Sequence, residues 1–268
     1  MCTRVYTPVM APKTVGIRAL REELPEMLRQ VGTTGQPLVV TKHGEAVATI
    51  VPGAAVEPPD ADAPRIIAVV SLKGGVGKTT LTMHLAAAIA QERDQVVVLD
   101  ADEEVSAFRW QQHAAAEGLT LPFKVIPAER NTLMRQAREL AKTGVTVLID
   151  TPPNNREILK SAATVADVVL VPVLPTGMDV DRLATTLELL ADLEAALDNF
   201  NYAIILNRFD SRKGMAHEAN EALNAHPRLN TVVKSLSAYE KVFGQAPAEL
   251  SQFHEIWQEI KQALGSGA

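Results

Sequence analysis

The sequence predicts an α/β fold in which a parallel sheet carries helices on both faces, preceded by a small α+β unit. Three observations lead there. From residue 66 onward, runs of five to seven mostly β-branched residues alternate with helical patterns, the signature of a sheet buried on both sides. A glycine-rich turn follows the first of these runs and leads straight into a helix. A proline- and acid-rich stretch, PGAAVEPPDADAP (52–64), separates that region from a shorter patterned segment.

Taken in chain order, the segment TVGIRALREELPEMLRQVGTTGQPLVVTKHGEAVATIVP reads strand, helix, turn, strand, turn, strand. Leu20, Leu24, Met27, Leu28 and Val31 recur at helical spacing, PLVVT and AVATIVP alternate as strands, and His43-Gly44 marks a hairpin turn. Pro58, Pro59 and Pro64 disfavour both helix and ladder, so the stretch around them reads as a semi-extended tether, with an ordered loop as the alternative. The expected boundaries are 1–56 for the first domain, 57–65 for the linker and 66–268 for the second domain. In the second domain the strand runs are RIIAVVSL, QVVVLD, FKVIPA, VTVLID, DVVLVPV and NYAIILN. Helical patterns fall in KTTLTMHLAAAIAQE, VSAFRWQQHAAAEG, NTLMRQARELAKTG and MDVDRLATTLELLADLEAAL.

Composition narrows the function classes. Hydrophobic residues make up 47% of the 268, enough for a sizeable core, and aromatics only 4%. The single cysteine, Cys2, excludes an internal disulfide framework and points to a reducing cytoplasm. The start has no apolar run of a signal peptide, no stretch could span a bilayer, and Met1 and Met10 are both possible starts. Residues 1–56 carry six Lys/Arg against four Glu, whereas residues 57–268 carry 20 basic against 28 acidic side chains. The short segment therefore permits a nucleic-acid contact that the acidic body does not by itself suggest. The six histidines show no zinc-ligand spacing and read as surface or satisfied residues.

The stretch SLKGGVGKTT (71–80) carries the chemistry. Backbone amides in a glycine turn feeding a helix N-terminus form an anion cradle. Gly74, Gly75 and Gly77, with Val76 between, let the chain wrap phosphates; Lys78 suits the β- and γ-phosphates; the Thr79 hydroxyl, followed by Thr80, suits Mg²⁺. The common phosphate-loop pattern places a glycine five residues before Gly77, where this chain has Leu72, so the loop is the deviant form with Lys73 before two glycines. VVVLDAD places Asp100 and Asp102 at one strand end, and VLIDTPP places Asp150 at another. Carboxylates there can hold Mg²⁺ or its waters or orient an attacking water. Taken singly, each also suits a helix N-cap or a turn.

From KGGVGKTT, DADEEVSAFRW, VLIDTPP and ADVVLVPVLPTGMDV, the chain resembles the deviant P-loop ATPases of the ParA/MinD family over about residues 66–265. That resemblance implies a P-loop NTPase domain, ATP and Mg²⁺ as ligands, and ATPase activity that is slow without a partner. It implies that Lys78 serves the chain's own nucleotide, while Lys73 reaches the partner subunit's ATP across a face-to-face homodimer. It further implies that Asp102 positions the attacking water and belongs with Thr79 and Asp150 around Mg²⁺. Asn207 in ILNRFD matches the family's adenine-side residue, although a strand-end Asn is also a turn former. Glu103-Glu104 stands where the family commonly has Pro-Gln.

Within the family, the tail ELSQFHEIWQEIKQALGSGA has helical apolar spacing, but Glu249, Glu255 and Glu259 outweigh Lys261 near that face. Core docking fits this balance better than anionic lipid, so no membrane partner is expected. Cluster cysteines of a nitrogenase-reductase-like protein are absent, and metabolic amide-forming relatives typically lack the lysine at position 73. What remains is a positioning ATPase, most simply a DNA-partition ATPase with a centromere-binding ParB-type partner and a nucleoid-associated cytoplasmic location. Such ATPases bind DNA non-specifically as ATP dimers, and Arg208, Arg212, Lys213, Lys234 and Lys241 mark the candidate region, although each taken singly reads better as an ordinary solvated charge.

Residues 13–52 resemble the Phd/YefM antitoxin DNA-binding domain through Arg21, Leu24, Pro37, Thr41, Lys42, Gly44 and Glu45. This implies a dimerising, operator-specific module with Arg18, Arg21 and Lys42 on DNA; a dimerisation arm without DNA contacts is the alternative. The combined expectation is a partition ATPase that represses its own operon. Two others stay open: a nucleotide-sensing repressor, favoured by Glu103-Glu104, and an ATPase positioning a protein cargo.

Overall fold

The computed structural model describes residues 13–34, 36–50, 65–92, 95–210, 212, 223, 226–235 and 242–265. The chain divides into two compact units, Met1–Pro58 and Pro59–Ala268.

In the first unit β1 (Lys13–Gly16) leads into α1 (Ile17–Thr34), and β2 (Leu38–Lys42) and β3 (Glu45–Ile50) follow. β1 pairs parallel with β2, and β2 pairs antiparallel with β3. His43 and Gly44 both take positive φ, 53° and 85°, which is what a two-residue type I′ turn requires. Val15, Met27, Val31, Leu38 and Val40 form the core of this unit, with Leu20 and Ile50 against it.

The apolar periodicity of α1 divides between two surfaces. Met27 and Val31 point inward, whereas Leu24 and Leu28 remain 40% and 48% exposed. The helix is also kinked at Glu23, where φ is −121°, ahead of Pro25. An internal proline removes one helix donor and its ring crowds the preceding turn. The side chains of Arg18 and Arg21 lie outside the described residues, and Lys42 is exposed at the end of β2.

The second unit is built on β4 (Ile66–Val69), β5 (Val96–Asp100), β6 (Lys124–Pro127), β7 (Thr146–Asp150), β8 (Val168–Val173) and β9 (Tyr202–Leu206). Their order is β6-β5-β7-β4-β8-β9, and every pair is parallel. Alternate residues of each strand enter two different cores. Ile67, Val69, Val98 and Leu148 pack with α2 (Lys78–Gln91), α3 (Ser106–Ala116) and α7 (Ser251–Gly265). Ile66, Ala68, Val147 and Ile149 pack with α4 (Leu133–Lys142), α5 (Arg156–Val165) and α6 (Gly177–Ala196). A two-sided burial of this kind accounts for the unbroken apolar runs: β7 and β8 are buried at every position.

α5 has no counterpart among the helical patterns read from the sequence. Its start is set by Asn155, whose side chain accepts a hydrogen bond from Ile158 N at 3.0 Å. The last helix docks as its composition suggested. Phe253, Ile256, Trp257 and Ile260 are buried, and Lys261 on its flank pairs with Glu92 at 2.9 Å. Among the described residues, no helix is long and apolar enough to cross a membrane.

From β4 the chain crosses to β5 and β6 on one side, returns to β7 next to β4, and then continues to β8 and β9 on the other side, so the connections reverse direction there. In open parallel sheets that reversal leaves a crevice at the carboxyl ends of the strands. Val69 lies in register with Asp150, and Asp150 with Asp100, so the glycine turn and both aspartates open onto the same crevice.

Candidate functional site

The loop between β4 and α2 is held open by its own backbone. Gly75 and Gly77 take φ of 76° and 88°, a region that side chains resist, and Gly77 is the N-cap of α2. A Cβ at position 77 would lie 2.4 Å from Asn207 Nδ2, so close approach as well as conformation demands glycine there. The loop is tied down behind: Lys73 N donates to Ser71 Oγ at 3.2 Å, Leu72 N to Thr186 Oγ1 at 3.4 Å, and Asn154 N to Leu72 O at 2.9 Å. The helix begins immediately after, so its unpaired amides face the loop's concavity.

The two lysines have different surroundings. Lys78, on the first turn of α2, is buried, and its Nζ donates to Lys73 O at 3.2 Å. Burial pushes its ammonium below the ordinary lysine range, and the Asp150 and Asp102 carboxylates oppose that shift. Lys73 stands on the partly exposed rim, ion-paired to Asp179. Asp179, in the first turn of α6, is itself buried and accepts a hydrogen bond from the Thr176 hydroxyl. One lysine thus points into the loop, while the other is held beside it by its own chain.

Asp150 is the last residue of β7. It is 1% exposed, and burial pushes its carboxyl up to about 7, against the opposing effects of the Thr79 hydroxyl and the Lys78 ammonium. Thr82 Oγ1 reaches one carboxylate oxygen at 3.5 Å, and the other, Oδ2, is buried with no hydrogen-bond partner. An orphaned carboxylate oxygen beside a phosphate-type loop suits a hydrated divalent cation, a ligand of the kind Mg²⁺ accepts from proteins. The described residues contain no group of three His, Cys, Asp or Glu side chains able to cage a metal, and a phosphate-loop Mg²⁺ needs none, because substrate oxygens and water complete its shell.

Asp100 has a structural role. Its carboxylate accepts from Asp102 N at 3.2 Å and from Phe108 N at 2.9 Å, closing the first turn of α3, and burial raises its pKa. Asp102 is half-buried at the mouth of the crevice and accepts from Glu104 N at 3.0 Å. The turn ends at Val105, a β-branched residue at φ 47°, a costly conformation for such a side chain. Sequence reasoning also missed Asp179. Its only local signal was the Thr-x-x-Asp spacing of a helix start, Thr176 to Asp179.

Asn207, just beyond β9, is buried against the loop: Nδ2 donates to Val76 O at 2.7 Å, and Oδ1 accepts from Arg208 N at 2.9 Å. Of the basic residues expected to face DNA, Arg208 and Lys234 are exposed. Arg212 is held by Asp210 through two hydrogen bonds at 2.9 Å. Lys213 and Lys241 lie outside the described residues.

Residues 12–54 match the Phd_YefM antitoxin family of type II toxin–antitoxin systems. The maintenance of carboxysome distribution protein A of Gloeobacter kilaueensis is 31% identical over 188 residues, covering 68% of this chain and 82% of that protein. The chromosome-partitioning ATPase Soj of Thermus thermophilus is 29% identical over 192 residues, covering 60% and 76%. The fold matches Cyanothece apo McdA, with a TM-score of 0.61 at 19% identity over 75% of this chain and 99% of that one. It also matches the cell division ATPase MinD of Pyrococcus furiosus, with a TM-score of 0.57 at 19% identity over 76% and 99%. Residues 67–245, most of the chain, match the CobQ/CobB/MinD/ParA nucleotide binding domain, and the chain therefore belongs to the ParA/MinD group of P-loop proteins, carrying a Phd/YefM antitoxin-like domain at its N-terminal end.

Proposed function

We propose that the protein is an ATPase that partitions DNA, dimerises on ATP and represses its own operon through residues 1–56. The observation that carries this is the pair of lysines with separate surroundings: Lys78 buried under the loop, Lys73 on the rim and held by Asp179. A single-subunit phosphate site has work for Lys78 alone. A second lysine on the rim serves a neighbouring subunit's phosphates once it leaves Asp179, which makes dimerisation depend on the nucleotide.

In this reading Gly74, Gly75, Val76, Gly77, Lys78, Thr79 and Thr80 enclose the triphosphate, with loop amides and Lys78 neutralising its charge. Thr79 and Asp150, with Asp102 nearby, hold Mg²⁺, which when bound offsets charge on the β- and γ-phosphates. Asp102 orients a water for attack on the γ-phosphorus, and the bond to the β-phosphate oxygen breaks to give ADP and phosphate. Turnover is slow until a centromere-binding partner of ParB type stimulates it. Asn207 lies on the adenine side. Arg18, Arg21 and Lys42 contact the operator, and the ATP dimer binds DNA non-specifically, which places it on the nucleoid in the cytoplasm.

A second reading keeps the ATPase and changes the cargo to a protein assembly. It is favoured by the relative that maintains carboxysome distribution, whose similarity covers 68% of this chain. Fluorescence anisotropy on two duplexes separates the two, one from upstream of the gene and one scrambled, each with ATP, ADP or no nucleotide. Full-length protein should prefer the upstream duplex in every state and bind the scrambled duplex only with ATP. Loss of the upstream preference removes the repressor half of the proposal. No ATP-dependent binding to the scrambled duplex removes the DNA-partition half and leaves the protein-cargo reading.

A further inference from the structure

Asn207 is placed to do something other than touch a base. Its backbone N donates to Val173 O at 2.8 Å, which fixes it to β8, and its Oδ1 is taken up by Arg208 N at 2.9 Å. The Oδ1 bond settles which end of the amide faces the loop, so Nδ2 is the group that reaches Val76 O, at 2.7 Å. The residue is 5% exposed, and Arg208 beyond it takes a left-handed φ of 55°. A side chain this constrained has little freedom to swing toward a ligand.

A trans peptide is planar, and its carbonyl and the following N–H point in opposite directions. Holding the Val76 carbonyl toward β9 therefore turns the Gly77 N–H away from β9, onto the other side of the loop. Gly77 has φ 88°, and a Cβ there would lie 2.4 Å from Asn207 Nδ2. The glycine and the asparagine are thus fitted to each other, and that peptide has its orientation set by a contact from outside the loop. Preorganised amides bind developing or resident negative charge without the cost of turning at the moment of binding.

We infer that Asn207 is a positioning residue for the phosphates: it orients the Val76–Gly77 peptide so that the Gly77 N–H faces the anion. This rests on the nucleotide reading above and assigns Asn207 a task distinct from adenine contact. The two tasks make opposite predictions for a ligand that has phosphates but no base. Asn207→Asp is nearly isosteric, but it sets a carboxylate oxygen against the Val76 carbonyl, so the brace becomes a repulsion. Asn207→Ser keeps a donor of shorter reach and guards against a misfolded aspartate variant.

The experiment is calorimetric titration of ATP and of inorganic tripolyphosphate into full-length wild type and both variants, with unfolding midpoints recorded without ligand. Asn207→Asp should weaken both ligands by the same factor, about tenfold or more, the worth of an amide hydrogen bond to a charged group. Asn207→Ser should fall between that variant and wild type, its midpoint staying near that of wild type. If the variants weaken ATP and spare tripolyphosphate, Asn207 serves the base and the inference is overturned. Unchanged affinity for both ligands overturns it as well. If wild type binds neither ligand, the nucleotide reading itself falls and takes the inference with it, an outcome distinct from either of the others.

Discussion

Asp150 shows how the site's chemistry opposes its own stability. Its folded pKa of about 7 lies above the ordinary aspartate value of 3.8, so between those two pH values the folded chain binds more protons than the unfolded one. Stability in the absence of ligand therefore declines as pH rises through that window, because the carboxylate must be charged in a buried place. Asp150→Asn removes the charge and keeps the shape. Without ligand, this variant should melt above wild type at pH 8, with the gap closing near pH 5; scanning fluorimetry at both pH values measures it. Equal melting at pH 8 would mean that the buried carboxylate is not strained. In the same variant, Mg²⁺-dependent tightening of nucleotide binding should be lost. His84 has the opposite sign: burial pulls its pKa down to about 4 from 6.5, so its contribution to stability is lost as pH falls through 6.5 toward 4. It sits behind the loop on α2, its Nδ1 at 2.8 Å from Thr80 O and its ring stacked on Phe253.

His84 and Phe253 join α2 to α7. Trp257 and Phe253 are fully buried, and the charged flank of α7 is matched to α2 through Glu92, Lys261 and Gln258. Trp257→Ala removes a large side chain from a packed interior and should cost about 3–5 kcal/mol, seen as a lower urea midpoint with little change in slope. A cost under about 1 kcal/mol would mean that α7 docks loosely. This helix was legible in sequence because its apolar residues recur at helical spacing while its acids argue against lipid. The strands were legible for a related reason, since burial on both faces leaves uninterrupted β-branched runs. α5 was passed over although Ile158, Leu159, Ala162 and Ala163 recur at helical spacing on its buried face, because ten residues with two alanines in that stripe give a short, weak pattern. α1 reads from the sequence as one regular helix, with the break ahead of Pro25 passed over, and whether Leu24 and Leu28 turn inward depends on packing. At the site, the glycine loop and the strand-end acids could be read from residue type and spacing. Asp179 and the Val76 contact of Asn207 could not, because each joins residues more than a hundred positions apart in sequence.

Two units on one chain raise the question of how many self-associations the protein has. Among its described residues the first unit leaves Leu24, Leu28 and Val47 exposed, Val47 at 54%, beside a core of Val15, Met27, Val31, Leu38 and Val40. A unit as short as Met1–Pro58 gains from burying a further apolar face, and a second copy would supply one. The second unit would associate differently, through Lys73 and the nucleotide. If both proposals hold, the associations are separable. Sedimentation of full-length protein should reveal a dimer without nucleotide that Leu28→Glu dissociates, because the substitution sets a charge in the apolar contact. Lys73→Ala should leave that dimer intact and abolish only the further change on adding ATP. The double variant should stay monomeric throughout, because each substitution removes one of the two associations. When both associations are present, each raises the effective concentration for the other, so DNA binding by wild type should exceed the sum of the single variants. A Leu28→Glu protein that sediments like wild type without nucleotide would remove the leucine face from the dimer. A Lys73→Ala protein that still responds to ATP would remove the rim lysine from the switch.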